Sequence, residues 1–302
     1  RLFPCPAIAA TVGYALHPLF RRISATTYIN SVRDVFGLGT LSIADEMPED
    51  AQINDFDNSV EQPMGASHIQ SYLTVNKTVA DAALAATNTN RGTVFSCGVT
   101  AAASDPAACA HKIIPGLLRK LFRRAPTTAE IAAHEAYIPK TATTTAAFTE
   151  GLSAAIQAAL LSPNFLYLVE LGSGGDNAAL TNYEYAARLA YFLWSSAPDD
   201  ELLAKAESGE LSNADEIAAQ VTRMMADPKG KALAENFAGQ WLGVRFMTKG
   251  TPDKIVFPEF DEDLRSAMTN ETLSFFEELR TKNMPLTNLI QTNFTYVNER
   301  LA

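Results

Sequence analysis

Two cysteines and a histidine lie close together in the segment CGVTAAASDPAACAH, residues 97–111, of a chain with three cysteines and four histidines. These residue types could attach a c-type haem, bind zinc, form a redox dithiol or form a disulfide. A c-type haem requires C-x-x-C-H and a redox dithiol usually uses C-x-x-C, and the segment has neither spacing. A structural zinc site needs four Cys or His ligands, whereas the segment supplies three at an unfamiliar spacing.

Cys97 and Cys109 therefore form either a disulfide or a pair of free buried thiols, and we favour the disulfide. The intervening loop is rich in Ala, Gly and Ser and can bring the two α-carbons within bridging distance. Such a bridge would stabilise the fold by roughly 2–3 kcal/mol and would indicate an oxidising compartment. Cys5 pairs elsewhere or stays free, and we interpret His111 as a surface residue of a helix.

Charged residues on two largely apolar helices form a second candidate site. Glu184 and Arg188 lie four residues apart, on one face of a predicted helix, so they could line a polar site. Glu271 lies on the apolar stripe of another predicted helix, where partial desolvation is typical of a general acid or base. We favour a structural ion pair for Glu184 and Arg188. For Glu271 we favour a structural hydrogen bond with an amide of a neighbouring helix or with Arg245.

Three aromatic residues, Tyr191, Trp194 and Trp241, are candidate ligand contacts. A tryptophan could stack on a sugar ring or a haem edge, but we favour both tryptophans as anchors of the core. The sequence has no H-E-x-x-H, G-x-S-x-G, G-x-G-x-x-G or Walker A motif. We therefore assign no catalytic residue and no metal ligand, and the sequence leaves open whether the protein is an enzyme.

The elements that position these residues are predominantly helical. Helix-start signals recur as a small polar or acidic residue before Pro, at Asp105, Ser162 and Asp227. Runs of alternating Val, Ile or Thr that would indicate strands are scarce, so we predict an all-α fold. The predicted helices span 25–36, 66–87, 106–123 with a kink near Pro115, 127–138, 145–161, 163–170, 181–195, 198–207, 213–226, 228–243, 260–281, 285–291 and 296 onward.

The chain has 302 residues, more than a single typical core, so we predict two to three packed helical modules. A polar, helix-poor stretch near residues 37–65 is predicted to be a long irregular loop. The predicted modules are 1–95 with that loop, 96–171 with the Cys97–Cys109 bridge, and 177–302, which we expect to continue beyond the chain end. The segment GSGGDN, 172–177, is the predicted joint between the last two.

The net charge is −10 and the sequence pI is about 4.9. This charge disfavours nucleic acids and anionic membrane surfaces as partners, because both select clustered Lys and Arg. The sequence also contains no apolar run of the roughly 20 residues that span a bilayer, so no membrane span is predicted.

A resemblance to known proteins rests on four long segments: RRISATTYINSVRDVFGLG (21–39), CAHKIIPGLLRKLFRRAPTTAEI (109–131), LSPNFLYLVE (161–170) and LTNYEYAARLAYFLWSSAPDDELLAKAESGEL (180–211). These segments resemble the modules of large exported bacterial proteins that were first noted in planctomycetes. Those are proteins of unknown function, whose helical modules often follow a cytochrome c domain. Three departures from the family pattern are Pro115-Gly116 within a helix, the loose version of a family motif at Leu121-Phe122-Arg123-Arg124-Ala125-Pro126, and Leu168 in place of an Arg.

The resemblance implies a bacterial protein of the periplasm or cell surface, with protein partners such as a cytochrome c domain or subunits of an envelope complex. It implies no cofactor in this chain, and a c-type haem only in a missing or partner domain. Our first hypothesis is therefore an exported helical scaffold or interaction module. The alternative is a component of an extracellular oxidoreductase or polysaccharide-degrading enzyme whose haem or catalytic part lies outside this chain.

Overall fold

The structure, a computed structural model, describes residues 19–57, 64–98, 102, 104–142, 144–172, 179–248, 250 and 252–302. Of these residues 63% are helical and 4% lie in strands, which confirms the all-α prediction. Within the same ranges, no helix has both the length and the apolar character needed to cross a membrane.

The α-helices are short to medium in length. Their bounds are α1 Ala25–Phe36, α2 Ala66–Leu84, α3 Arg91–Val94, α4 Pro106–Phe122, α5 Thr128–Glu135, α6 Thr145–Leu161, α7 Pro163–Leu166, α8 Asn182–Trp194, α9 Asp200–Glu207, α10 Ala214–Ala226, α11 Gly239–Trp241 and α12 Glu262–Thr281. A π-helix spans Leu233–Ala238, and 3₁₀ turns span Ala44–Glu46, Glu210–Ser212, Pro228–Lys231, Val244–Thr248 and Leu286–Leu289.

Local capping sets the ends of the helices that carry the candidate residues. The Asp105 carboxylate accepts from the Ala108 amide at 3.0 Å, and Pro106 occupies the first turn of α4. α4 continues through Pro115 and ends at Arg123, whose φ of 57° is left-handed. α1 ends at Gly37, where a φ of 65° suits a residue without a Cβ.

Strand pairing changes one predicted helix. Residues 163–170 were predicted as helix, but only Pro163–Leu166 are helical, and Tyr167–Glu170 form β4. This strand pairs antiparallel with β1, Leu19–Arg22, in the register Arg22↔Tyr167. The helix prediction for 167–170 is wrong because the partner strand lies about 150 residues earlier, beyond the reach of local pattern. A two-residue hairpin, β2 Gln52–Ile53 with β3 Phe56–Asp57, lies within the predicted irregular loop.

The C-terminal part also departs from the predicted helices. Residues 228–243 form a 3₁₀ turn, the π-helix and α11 instead of one helix, and 285–291 contain only the Leu286–Leu289 turn. No helix begins at 296. Phe294 packs on Phe275 of α12, with ring centroids 5.3 Å apart, and Thr295 bonds Glu271 of the same helix. These contacts to α12 take the place of the continued helix that the local pattern indicated.

The chain divides into two compact units. The first contains the described residues before Gln52, then Asp57–Tyr191 and Ser196–Ile217, and the second contains Gln52–Phe56, Phe192–Ser195 and Ala218–Ala302. The division into three modules stays a prediction, and most of its predicted joint, 172–177, lies outside the described residues.

Each unit has its own packing. In the first, α2 packs along α6, α4 contacts α5, α6 and α7, and the fully buried side chains include Tyr28, Phe36, Phe148 and Phe165. In the second, the π-helix and the Val244–Thr248 turn pack on α12.

Candidate functional site

The loop that follows α4 places a buried arginine in the first unit. Arg123 is 5% exposed and makes five hydrogen bonds. The two N–H groups of its Nη1 are shared among the Leu121 carbonyl, the Phe165 carbonyl and the Tyr191 hydroxyl. Its Nη2 donates to the Asn164 and Tyr167 carbonyls. The side chain therefore joins the end of α4 to α7 and β4 through backbone carbonyls, and to α8 through the Tyr191 hydroxyl.

The next residue, Arg124, forms a network with Glu130 and Asn164. Arg124 donates to both carboxylate oxygens of Glu130, at 2.9 and 2.6 Å, and to Oδ1 of Asn164 at 3.1 Å. Asn164 Nδ2 in turn donates to Glu130 Oε1 at 3.1 Å. The Arg124 hydrogen bond lowers the pKa of Glu130 to about 2, which holds the carboxylate ionised. Glu130 also completes a capping box with Thr127 at the start of α5.

Glu184 has a backbone partner rather than the predicted charged partner. Its Oε1 accepts from the Leu171 and Gly172 amides at 2.7 and 3.1 Å. Its Oε2 accepts from the Thr181 amide and hydroxyl at 2.7 and 2.8 Å. The carboxylate therefore closes the turn before α8 and stabilises the positive end of that helix.

Arg188 pairs with Glu170 of β4, so the predicted ion pair between Glu184 and Arg188 is not the pair that forms. Nε of Arg188 donates to Oε1 of Glu170 at 3.0 Å, and Nη2 donates to Oε2. This hydrogen bond raises the pKa of Arg188 above its ordinary value. The sequence places Glu184 and Arg188 on one helix face, but β4 supplies a carboxylate in bidentate geometry, which Arg prefers.

A cleft of about 530 Å³ lies where these residues meet. Its polar wall includes Arg123, Arg124, Glu170 and Glu184, and its apolar wall includes Tyr167. The volume falls within the usual range of a ligand pocket. Each of the four charged groups holds a hydrogen-bond partner within the fold.

Glu271 lies on α12, in the second unit. Its Oε1 accepts from the Thr295 hydroxyl at 2.6 Å, so the partner in this bond is a side chain of the C-terminal segment and not the helix amide or Arg245 that we favoured. In the described ranges of the chain, no group of three or more His, Cys, Asp or Glu side chains could hold a metal ion.

The three candidate aromatic residues have different environments. Tyr191 is buried and accepts from Arg123 through its hydroxyl. Trp194 is buried, as predicted for a core anchor, and its Nε1 donates to the Met224 carbonyl at 2.9 Å. Trp241 is 52% exposed, so its interpretation as a core anchor is wrong. The apolar pattern around Trp241 did not predict that the helix would break into a π-helix and a short α-helix at this point.

Cys97 and Cys109 form a disulfide with Cα atoms 5.4 Å apart, which confirms the predicted bridge. Cys109 is buried in α4, so the bridge fixes the loop after α3 to the core of the first unit. His111 lies on the surface, as predicted, with Nδ1 2.8 Å from a Glu135 carboxylate oxygen. Cys5 lies outside the described residues.

Arg123, Arg124, Glu130 and Asn164 were not among the predicted site residues, although Arg123 and Arg124 lie in the loose version of the family pattern at residues 121–126. Two arginines directly after an apolar helix, followed by a T-x-x-E capping box, were the available signal. That signal predicts a helix boundary, but it does not reveal that α7 and β4 supply the acceptors.

Three protein-family profiles match consecutive segments of the chain. They are PSD3, a protein of unknown function (DUF1587), at residues 21–85; PSD5, a protein of unknown function (DUF1595), at 109–170; and PSD4, a protein of unknown function (DUF1592), at 180–302. No curated protein and no solved structure matches the chain significantly. The second profile contains the Arg123 and Arg124 network, and the third contains Glu184 and Arg188. The three matches together support assigning the chain to a family of proteins of unknown function.

Proposed function

We propose that the chain is an exported, non-catalytic helical scaffold that presents surfaces to other proteins. The observation that carries this proposal is the use of the charged side chains around the cleft. Arg123 makes five hydrogen bonds within the fold and Glu184 accepts four, so the polar residues of the family segments maintain the architecture. A catalytic acid or base would instead direct its reactive atom toward a substrate.

The compartment we propose is the periplasm or cell surface of a bacterium. The disulfide supports this location, because such bridges persist in oxidising compartments. The partners we propose are a cytochrome c domain or subunits of an envelope complex, as the family resemblance implies. A c-type haem would then belong to the partner or to another part of the polypeptide, because both described cysteines are consumed by the bridge.

The proposal is tested with the full-length protein from its native host. Haem absorbance is recorded, and turnover of polysaccharides and of reduced electron donors is assayed with wild type, Glu170→Gln and Glu184→Gln. We expect both variants to lower the melting temperature and to leave any turnover of the complete assembly unchanged per folded molecule. A variant that folds normally and abolishes turnover would place its carboxylate in an active site, and would favour the enzyme alternative instead.

A further inference from the structure

An exposed aromatic cluster lies on the second unit around Phe237. The Phe237 ring centroid is 6.1 Å from that of Phe56, 5.8 Å from that of Phe192 and 5.9 Å from that of Trp241. Phe192 is 54% exposed and Trp241 is 52% exposed. We call these four side chains the Phe237 cluster. Three separate chain segments contribute to it, so the fold assembles a surface that no single helix pattern predicts.

Phe237 and Trp241 are positioned by an unusual helical segment. Phe237 lies in the π-helix Leu233–Ala238, and Trp241 ends α11 directly after it. π-helical segments are rare and occur frequently at functional sites. The spacing of four residues places both rings on one side, and their planes differ by 20°. Trp241 stays 52% exposed beside Phe237, so part of the residue remains accessible to a ligand.

The composition of the cluster selects the kind of ligand. All four side chains of the cluster are aromatic. The face of an aromatic ring carries negative charge, and it attracts the weakly positive C–H groups on one face of a pyranose ring. The chain carries a net charge of −10, which disfavours anionic polymers and leaves neutral sugars.

Polar side chains that suit sugar hydroxyls adjoin the cluster in sequence. Asn54 and Asp55 are exposed at the hairpin turn directly before Phe56, and both have positive φ values. Glu235 is exposed on the π-helix two residues before Phe237. Amide and carboxylate groups of this kind can bond the hydroxyls of a stacked sugar.

We propose that the Phe237 cluster is a stacking platform for a neutral oligosaccharide or polysaccharide. This inference goes beyond the scaffold proposal and is independent of it, because sugar binding at the second unit requires neither a protein partner nor turnover.

The experiment measures binding of the purified chain to cellohexaose, chitohexaose, xylohexaose and mannohexaose, with polygalacturonate as the anionic probe. Affinity electrophoresis gives dissociation constants for all variants, and tryptophan fluorescence reports on the wild type. The chain has two tryptophans and Trp194 is buried, so a fluorescence change would report mainly on Trp241. We expect at least one neutral hexasaccharide to bind and Trp241→Ala to weaken that binding about tenfold.

Matched variants separate stacking from loss of folding. Trp241→Phe keeps an aromatic face, so its affinity for the sugar is expected to fall by roughly threefold or less. Phe192→Ala is a second truncation within the cluster and is expected to weaken binding as well. Tyr137→Ala removes an exposed aromatic ring of the first unit and is expected to leave the affinity for the sugar unchanged. Thermal melts check that all variants fold.

Several outcomes would overturn the proposal that the Phe237 cluster binds a neutral sugar. They are no binding of any neutral hexasaccharide, binding of polygalacturonate alone, or binding that both Trp241→Ala and Phe192→Ala retain. Self-association that Trp241→Ala abolishes, with no sugar binding, would show that a second copy of the chain covers the cluster and would also overturn it.

Discussion

Nη1 of Arg123 donates a 2.9 Å hydrogen bond to the Tyr191 hydroxyl, which joins the loop after α4 to α8 within the first unit. The guanidinium also lies 5.5 Å from the centre of the Tyr191 ring. A charged group that is 5% exposed is stabilised there by five hydrogen-bond acceptors and by the nearby Phe165 and Tyr191 rings.

Arg123→Ala is predicted to destabilise the first unit by about 3–5 kcal/mol, because truncation leaves several buried carbonyls without a donor. Tyr191→Phe removes one of the five bonds and is predicted to cost about 1 kcal/mol. Urea unfolding monitored by circular dichroism measures both losses. Arg21→Ala, at an exposed position on β1, is the control and is expected to stay within about 0.5 kcal/mol of wild type. If Arg123→Ala lost no more stability than the control, the role of Arg123 in joining these segments would be contradicted.

The pairing of Arg124 with Glu130 predicts a specific acid dependence. The pKa of Glu130 is lowered from 4.5 to about 2 in the folded state, so its stabilisation is fully present above pH 4.5. That stabilisation is lost as pH falls toward 2, where the folded state also takes up the proton. Both side chains are partly exposed, so solvent screening keeps the contribution modest.

Glu130→Gln is therefore predicted to cost about 1 kcal/mol at pH 7 and progressively less as pH falls from 4.5 to 2. Thermal unfolding of wild type and variant across this range gives the difference. A difference that stays constant with pH would show that the Arg124 pairing does not act through the ionised carboxylate.

The disulfide joins cysteines with a sequence separation of 12. For a loop of this length the chain-entropy model gives a stabilisation of roughly 2–3 kcal/mol. The double variant Cys97→Ala, Cys109→Ala is predicted to lose about that much stability in chemical denaturation. Reductant should lower wild type to the level of the double variant and leave the variant unaffected. Intact-mass measurement without reductant checks the bridge directly, and two free thiols in the exported protein would refute it.

The four hydrogen bonds that Glu184 accepts predict that loss of its carboxylate destabilises the start of α8 and the turn at Leu171 and Gly172. Glu184→Ala is expected to cost about 2 kcal/mol, because it removes the cap of α8 and the acceptor for the Leu171 and Gly172 amides. Hydrogen exchange at those two amides should accelerate more than at β4 as a whole. Glu150→Ala, at an exposed position on α6, is the control and should change neither quantity.

Local sequence signals predicted the features that neighbouring residues control. α1 and α6 begin and end where the pattern placed them, because Ser24 and Thr144 supply side-chain caps and the apolar residues repeat with helical period. The bridge between Cys97 and Cys109 was also predictable, since only a short loop has to close.

Tertiary structure decided the features that depend on partners distant in sequence. β4 is a strand because β1 pairs with it, and Arg188 bonds Glu170 because β4 brings that carboxylate to α8. The acceptors of Arg123 and the rings around Phe237 likewise come from several segments. Sequence by itself therefore determined the helical class, most helix boundaries and the bridge, which follow from short-range capping and periodicity. Only the fold decided which charged groups pair and which aromatic rings stay exposed, because burial and pairing depend on contacts across the whole chain.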